Sequence, residues 1–337
     1  MSKAYEKDEL GCRMKTYENV SKPFLTLGIP HVIRLDMRAG HSFCKKLKRP
    51  FDEIFSKSME KTAIALCEQI PGVKFAFTQS DEISLALNDD FGNVEFQCFF
   101  DGNIEKIVSI SASIATLEFN KAWIEIVNET WGNEFYEDKR ILELNPDVKI
   151  YRNNFFKAQF DSRVFSVPNV TELHNYFLWR QQDATRNSIL SVGYANFSQK
   201  EMDKKNCEQI QDMLHTIGIN WNDFPVRYKR GIIVVKEAYE KEIKMSLNGK
   251  FSSSGTCIRH RWTGDREIPI LSQETSYIKE LFEEHKRRIL IHKLPLENNE
   301  NCKGCVYFEM QNENLCTKCA ENDFEYYCSP TMCWYPQ

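Results

Sequence analysis

The sequence has no long apolar run, since nothing in its 337 residues approaches the roughly 20 consecutive apolar residues of a membrane-spanning helix. It has no strong charge of one sign, because the formal net charge is −4, and it has no internal repeat. Residues 1–7 are polar and form no signal-peptide core. These absences argue against a membrane protein and a polycation, and they predict a globular protein of the cytoplasm.

Basic residues are nevertheless grouped in three places along the chain. The groups are Lys45, Lys46, Lys48 and Arg49, then Arg227, Lys229 and Arg230, then Arg259, His260 and Arg261. Each group predicts a local surface patch that could bind a polyanion. Such runs of charge are more often found in solvent-exposed loops without a binding function.

Two aspartates on separate predicted strands are the most informative feature of the chain. Asp36 ends the run 31–36, and Asp81 lies between the alternating apolar runs 73–77 and 83–87, which predict a β-hairpin. Hard cations prefer oxygen ligands, so two such carboxylates side by side suit a two-magnesium phosphoryl-transfer site. Most aspartates near strand ends only cap turns, and the spacing alone leaves that interpretation open.

Five short segments that contain charged residues are spread along the chain. They are 34–43 (RLDMRAGHSF), 79–84 (QSDEIS), 160–164 (FDSRV), 179–183 (WRQQD) and 228–231 (YKRG). Together they resemble the tRNA-histidine guanylyltransferase family and its guanylyltransferase-like relatives, the 3′-to-5′ polymerases. One segment would not be specific, but five in order across roughly residues 25–236 are.

The resemblance implies an α+β fold with a ferredoxin-like polymerase palm. It implies that Asp36 and Asp81 are catalytic and that, with the main-chain carbonyl of Met37, they hold two Mg²⁺ ions. The ions bind a nucleoside triphosphate, ATP or GTP, and activate the 5′-phosphate of a tRNA. The 3′-hydroxyl of an incoming nucleotide then attacks that 5′ end. The family also implies a homo-oligomer, specifically a homotetramer.

The resemblance further implies two sets of binding residues. The nucleotide-binding set is Asp36, Met37, Arg38, Ala39, Gly40, His41, Arg49, Ser80, Asp81 and Lys106. The tRNA-binding set is Arg163, Arg180, Asp183, Asn187, Lys229 and Arg230. Arg49 and Lys106 would neutralise phosphate charge, although each could equally be a solvated cation. Arg180, Asp183 and Asn187 share one helix face, where an ion pair facing water is the alternative.

Three departures from the family pattern affect these expectations. Met37 replaces the usual glycine, which a backbone ligand tolerates if φ stays negative. Gly40 precedes His41, where the family has an aromatic residue. Asp183 is followed by residues 184–187 (ATRN) rather than His-Ile-Asn-Asn. The last pattern resembles the guanylyltransferase-like branch, which repairs truncated tRNA 5′ ends by templated addition.

Hydrophobic periodicity by itself predicts a β-α-β-β-α-β order, the split arrangement of ferredoxin-like folds. Asp52 is expected to cap a helix that runs to about Ile70. Further helices are expected over 104–126 and 170–194, the latter with a capping box of Asn169 and Glu172. The predicted buried stripe of the 104–126 helix is Ile107, Ile110, Ile114, Leu117 and Ala122.

Motif positions divide the chain into four parts. We expect a palm catalytic domain over 1–150 and a region over 151–246 that completes the catalytic unit. A loop at 248–255 and a charged helix at 272–292 occupy the part 247–295. A cysteine-rich tail follows over 296–337.

The tail carries a four-thiolate pattern, Cys302-x-x-Cys305 and Cys316-x-x-Cys319. This spacing predicts a Zn²⁺ site that replaces the core a small segment cannot build. An iron–sulfur cluster and disulfides are the alternatives, and the latter fit poorly with a cytoplasmic protein. Cys328 and Cys333 are spare thiols or alternative ligands.

Two other functions fit parts of the sequence. A palm-type nucleotidyl cyclase would use the same metals without RNA. A non-catalytic RNA-binding protein would use the sheet and the cysteine tail, but it requires exposed aromatic residues on the central strands, whereas Phe75 and Phe77 alternate as if buried.

Overall fold

The computed structural model describes residues 9–20, 22–88, 98–132, 146–247 and 251–283, and the structural statements below concern these residues. The strands are His31–Met37 (β1), Val73–Gln79 (β2), Glu82–Leu87 (β3), Phe160–Ser166 (β4), Ile232–Leu247 (β5) and Phe251–Asp265 (β6). The helices are Glu9–Asn19 (α1), Gly40–Cys44 (α2), Glu53–Gln69 (α3), Ile104–Trp131 (α4), Pro146–Arg152 (α5), Val170–Asn196 (α6), Gln199–Met202 (α7), Cys207–Thr216 (α8), Val226–Arg230 (α9) and Tyr277–Glu283 (α10). Among them, no helix is both long enough and apolar enough to span a bilayer.

The strands form one sheet in the order β4-β1-β3-β2-β5-β6. The pairs β1–β3, β1–β4, β2–β3 and β2–β5 are antiparallel. The first four strands, with α3 and α4 as crossovers, have the predicted β-α-β-β-α-β order. This mixed α/β architecture confirms the fold expected from hydrophobic periodicity.

Side-chain caps set the starts of α3 and α6. Asp52 precedes α3 and accepts a hydrogen bond from the main-chain N–H of Phe55 at 2.8 Å. Asn169 precedes α6 and accepts from the N–H of Glu172 at 2.9 Å. Each cap satisfies one of the N–H groups that a helix start leaves unpaired, so both predicted starts are confirmed.

The sheet separates two apolar cores. On one face α3 and α4 pack over a cluster that includes Ile33, Leu35 and Trp123. On the other face Phe75 and Phe77 pack with residues of α6. Phe75 and Phe77 are fully buried, as their alternation predicts, which removes the exposed aromatic platform that an RNA-binding sheet would need.

The predicted buried stripe of α4 is wrong in part. Ile110 and Leu117 are 40% and 54% exposed, respectively. The buried face follows a four-residue step instead: Ile107, Ser111, Ala115, Phe119, Trp123 and Val127. Small side chains at two of these positions let the helix approach the sheet, and the hydroxyl of Ser111 lies 2.8 Å from that of Ser162 on β4. Hydrophobicity alone therefore does not identify all the residues on the buried face of this helix.

The C-terminal expectations also need correction. The predicted loop 248–255 overlaps β6, which begins at Phe251. The predicted charged helix begins at Tyr277 rather than at residue 272, and its part beyond residue 283 lies outside the described residues. Serine and glycine favour loops locally, but the main chain of β6 extends the sheet beside β5.

Two compact units divide the chain. One contains residues up to Val235 together with Trp262–Phe282, and the described residues of the other are 236–247, 251–261 and Glu283. Within the first unit, the Gln181 side chain donates to the carbonyl of Pro269 and accepts from the N–H of Leu271. These two hydrogen bonds connect the segment Trp262–Phe282 to α6.

We predict that Phe119→Ala lowers the free energy of unfolding by about 3–5 kcal/mol, because it leaves a cavity between α3, α4 and the sheet. Leu117→Ala on the same helix should change it by no more than about 0.5 kcal/mol. Urea denaturation of the two variants measures both values. Equal destabilisation would contradict the corrected buried face.

Candidate active site

The two predicted catalytic carboxylates lie at the same end of neighbouring strands. Asp36 on β1 is in register with Glu82 on β3 and with Asp161 on β4. The N–H of Met37 donates to the main-chain carbonyl of Asp81 at 3.0 Å. The structure therefore brings Asp36, Met37 and Asp81 together, as the sequence predicts.

The Asp81 carboxylate rests against the bare Cα of a glycine. Asp81 follows Ser80, whose φ of 49° makes the hairpin turn tight. A Cβ at the buried Gly40 would lie 1.9 Å from Oδ2 of Asp81. Burial raises the pKa of the Asp81 carboxyl and the charge of Asp36 raises it further, while hydrogen bonds to the carboxylate oppose the shift. A nearby cation would therefore favour ionised Asp81.

Glu82 is the centre of a buried ion-pair network that the sequence did not reveal. Its Oε2 lies 2.8 Å from Arg34 Nη2 and 2.7 Å from Arg180 Nη1. Arg180 also lies 3.1 Å from Asp183. Burial raises the pKa of the Glu82 carboxyl, and both guanidiniums counteract that effect. The network links α6 to the strands that carry the catalytic candidates.

Asp36 is surrounded by positive charge but retains an oxygen without a hydrogen bond. Arg34 Nε and Arg163 Nη2 each lie 3.2 Å from Oδ2 of Asp36. These contacts are within ion-pair distance, yet Oδ2 is buried and accepts no hydrogen bond of good geometry. Buried carboxylate oxygens are normally paired, so this atom is suited to an additional ligand.

The donor set fits a magnesium ion. It consists of the Asp36 oxygen, the Asp81 carboxylate beside Gly40 and the carbonyl of Met37, all hard oxygen ligands. Met37 lies in β1 and is not among the residues with positive φ, as a carbonyl ligand at this position requires. In the described ranges no three or more His, Cys, Asp or Glu side chains form a metal-holding group. Substrate phosphate oxygens and water would complete the coordination, as is usual for Mg²⁺.

A cavity of about 720 Å³ lies beside the hairpin. Four predicted binding residues line it: His41, Arg49, Ser80 and Asn187. Lining residues outside the two predicted binding sets include Lys45, Lys48, Phe51, Tyr194, Arg227 and Tyr228. The rings of Phe51 and Tyr228 stack with their centroids 4.7 Å apart. Two of the basic groups noted in the sequence thus converge on one cavity.

Other predicted residues have different surroundings. The Lys229 side chain is buried and donates to the carbonyl of Asn222, and burial lowers its pKa. The Arg180 side chain is only 4% exposed within the Glu82 network. Neither side chain is presented for direct contact with tRNA. Arg38 donates to Gln159 at 2.9 Å.

Lys106 is not brought to this site. It lies in the first turn of α4, where the neighbouring Ile107 lines a small cavity together with His31 and Leu87. His31 begins β1, and Asp36 lies roughly 17 Å further along that strand at 3.3 Å per residue. The structure therefore does not bring Lys106 to the Asp36 end of β1, and the nucleotide contact implied for it stays a prediction. Because β3 runs antiparallel to β1, it delivers the chain to the opposite end of the sheet.

Paired carboxylates at the end of an antiparallel sheet, beside a basic cavity, are an arrangement that suits the nucleotidyltransferase class of enzyme. The family model of tRNAHis guanylyltransferase (Thg1) matches residues 11–168. A solved bacterial tRNA(His) guanylyltransferase (Thg1)-like protein in complex with ATP is 34% identical, with a TM-score of 0.62, and the match covers 81% of this chain and 98% of that one. The chain belongs to the tRNA(His) guanylyltransferase family and is a nucleotidyltransferase.

Two more distant proteins also resemble this chain. An uncharacterized protein, R259, of Acanthamoeba polyphaga mimivirus is 28% identical over 239 residues, 68% of this chain and 78% of that protein. The tRNA(His) guanylyltransferase structure from Saccharomyces cerevisiae is 22% identical with a TM-score of 0.51, covering 65% of this chain and 91% of that one. At that identity the second comparison supports the fold alone.

We predict that Gly40→Ala lowers metal affinity and turnover about 10- to 100-fold, because the new methyl group displaces the Asp81 carboxylate. Mn²⁺ titration and nucleotide incorporation measure the two effects. Ser42→Ala, an exposed change on the same helix, is the matched control. Normal metal affinity in Gly40→Ala would show that the Asp81 position is not restricted by residue 40.

We also predict that Glu82→Gln lowers the free energy of unfolding by about 3–5 kcal/mol, because Arg34 and Arg180 lose their buried counter-charge. Glu53→Gln removes a carboxylate from an exposed pair with Lys57 and should cost less than about 1 kcal/mol. Thermal and urea unfolding compare the two. A small effect at Glu82 would mean that the network is dispensable for stability.

Proposed function

We propose that this protein is a magnesium-dependent enzyme that adds nucleotides to the 5′ end of a tRNA in the 3′-to-5′ direction. The observation that carries the proposal is the placement of Asp36 and Asp81 at one sheet end, beside a basic cavity. Family membership supplies the reaction class.

Asp36, Asp81 and the Met37 carbonyl are the proposed ligands of two Mg²⁺ ions. Bound there, the metal would neutralise phosphate charge and align the attacking and leaving oxygens. The protein's own contribution is positional. Arg34, fixed by Glu82, orients Asp36, and the missing side chain at Gly40 leaves room for the Asp81 carboxylate.

The cavity is the proposed nucleotide site. Lys45, Lys48 and Arg49 would bind the triphosphate through charge and, for arginine, through a planar fork of donors. Phe51 and Tyr228 provide an aromatic wall for a base. Two related bacterial structures contain ATP and GTP, respectively, which agrees with a site for purine nucleotides.

The proposed tRNA contacts are Arg163, Asn187 and Arg230, whose side chains are at least partly exposed. Arg180 and Lys229 act from buried positions, by holding α6 and α9. Asp183 is held by Arg180 and Arg186. The pattern at 184–187 favours templated repair of truncated 5′ ends over guanylylation of histidine tRNA.

Several finer assignments are proposals from the sequence. They are the division at residues 150, 246 and 295, a cytoplasmic location, a homotetramer, and Zn²⁺ bound by Cys302, Cys305, Cys316 and Cys319. These cysteines lie outside the described residues. A cyclase and a non-catalytic RNA-binding protein are disfavoured by family membership and by the buried Phe75 and Phe77.

The direct test uses a 5′-monophosphorylated tRNA that lacks its first nucleotide, with Mg²⁺, ATP and labelled nucleotides. Incorporation only of the nucleotide complementary to the opposing base would establish templated repair. Guanosine added to full-length histidine tRNA, whatever the opposing base, would establish guanylylation. Incorporation on neither substrate would contradict the proposal.

We predict that Asp81→Ala or Asp36→Ala lowers incorporation by at least about 1,000-fold with the fold intact, because a metal ligand is lost. Circular dichroism monitors folding. Asp203→Ala, an exposed aspartate after α7, is the control and should retain full activity. Near-normal turnover of Asp81→Ala would refute the metal assignment.

A further inference from the structure

The two arginines that contact Asp36 are held very differently. Arg34 has a side chain that is 20% exposed, and it is anchored by the buried Glu82 at 2.8 Å. Arg163 has a side chain that is 56% exposed. Its other carboxylate partner, Asp161, is itself 60% exposed and lies 3.3 Å away. Exposed ion pairs are weak, so Arg163 is the guanidinium that can leave Asp36 at low cost.

Both guanidiniums compete for the oxygen that a metal would use. Arg163 Nη2 lies 3.2 Å from Oδ2 of Asp36, the buried atom that accepts no hydrogen bond. A Mg²⁺ ion binds a carboxylate oxygen at about 2.1 Å. An arginine and a divalent cation on one oxygen would repel each other strongly, since they would be only a few ångströms apart. Cation binding must therefore loosen the Arg163 contact.

The released side chain would remain beside the reacting groups. Residue 163 is on β4, in register with Arg34 of β1 and two residues beyond Asp161, which pairs with Asp36. A free guanidinium at this edge matches the geometry of a phosphate group, with which it can form two parallel hydrogen bonds.

We propose that Arg163 neutralises Asp36 until a divalent cation binds there, and that its guanidinium then binds a phosphate group of the substrate. The phosphate is either the 5′-phosphate of the RNA or the triphosphate of the nucleotide. This inference rests on the proposed function, because it assumes a cation at Asp36. It couples the metal and phosphate sites, so each ligand should strengthen binding of the other by the same factor.

The first test measures Mn²⁺ binding to the full chain by electron paramagnetic resonance. The component that Asp36→Asn abolishes is assigned to this site. Arg163→Gln should strengthen that component about two- to fivefold, the strength of an exposed ion pair. Lys121→Gln, which removes an exposed cation paired with Glu118 on α4, should leave it unchanged.

Each outcome of this test decides a separate question. An unchanged component in Arg163→Gln, or equal strengthening in Lys121→Gln, overturns the inference while the metal site stands. If Asp36→Asn has no effect, the metal site itself fails and the inference fails with it. Circular dichroism of each variant verifies folding.

The second test identifies the phosphate. Binding is compared for 5′-phosphorylated and 5′-hydroxyl tRNA, and for ATP and adenosine, in Ca²⁺ to prevent turnover. In one of the two comparisons, Arg163→Gln should reduce the gain in affinity that the phosphate provides by about tenfold. Arg163→Lys should reduce this gain less, because lysine keeps the positive charge but lacks the planar fork of donors. A loss in the tRNA pair assigns the 5′-phosphate, a loss in the ATP pair assigns the triphosphate, and a loss in neither overturns the inference.

Discussion

The buried carboxylate of Glu82 is the group on which the site's geometry depends. It lies between the guanidiniums of Arg34 on β1 and Arg180 on α6, at 2.8 and 2.7 Å. Desolvation of a carboxylate is unfavourable, and only close, well-oriented cations compensate for it. Because Arg34 also contacts Asp36, the buried carboxylate of Glu82 connects α6, the sheet and a candidate metal ligand. The candidate metal ligand Asp36 is thus held in position from inside the protein, through Arg34.

The end of β1 and the β2–β3 hairpin combine features that suit ligand binding rather than stability. Asp81 is partly buried near the like charge of Asp36, and both effects raise its pKa. The hairpin turn holds Ser80 at positive φ, which is unfavourable for a residue with a side chain. Such local costs are characteristic of functional sites, where a bound cation and phosphate supply the missing interactions. The apolar cores on both faces of the sheet provide the stability that permits them.

Local sequence signals were reliable where one short-range interaction decides the structure. The caps at Asp52 and Asn169 depend on a side chain and an N–H three residues away, and both helix starts were predicted correctly. The face of α4 depends instead on which side chains fit against α3 and β4. There Ser111 and Ala115 are buried while Ile110 and Leu117 are not, because close approach selects small residues. Periodicity without the packing partner could not show this.

The sequence by itself determined the β-α-β-β-α-β order, the two carboxylates and the family resemblance, because these follow from short-range patterning and short motifs. Tertiary structure decided which residues meet. It placed Lys106 at the far end of the sheet, buried Arg180 against Glu82, and brought the basic run near Arg49 to the same cavity as Arg227. These relations join residues far apart in the chain. They depend on strand direction and on the burial of charge, which no local pattern encodes.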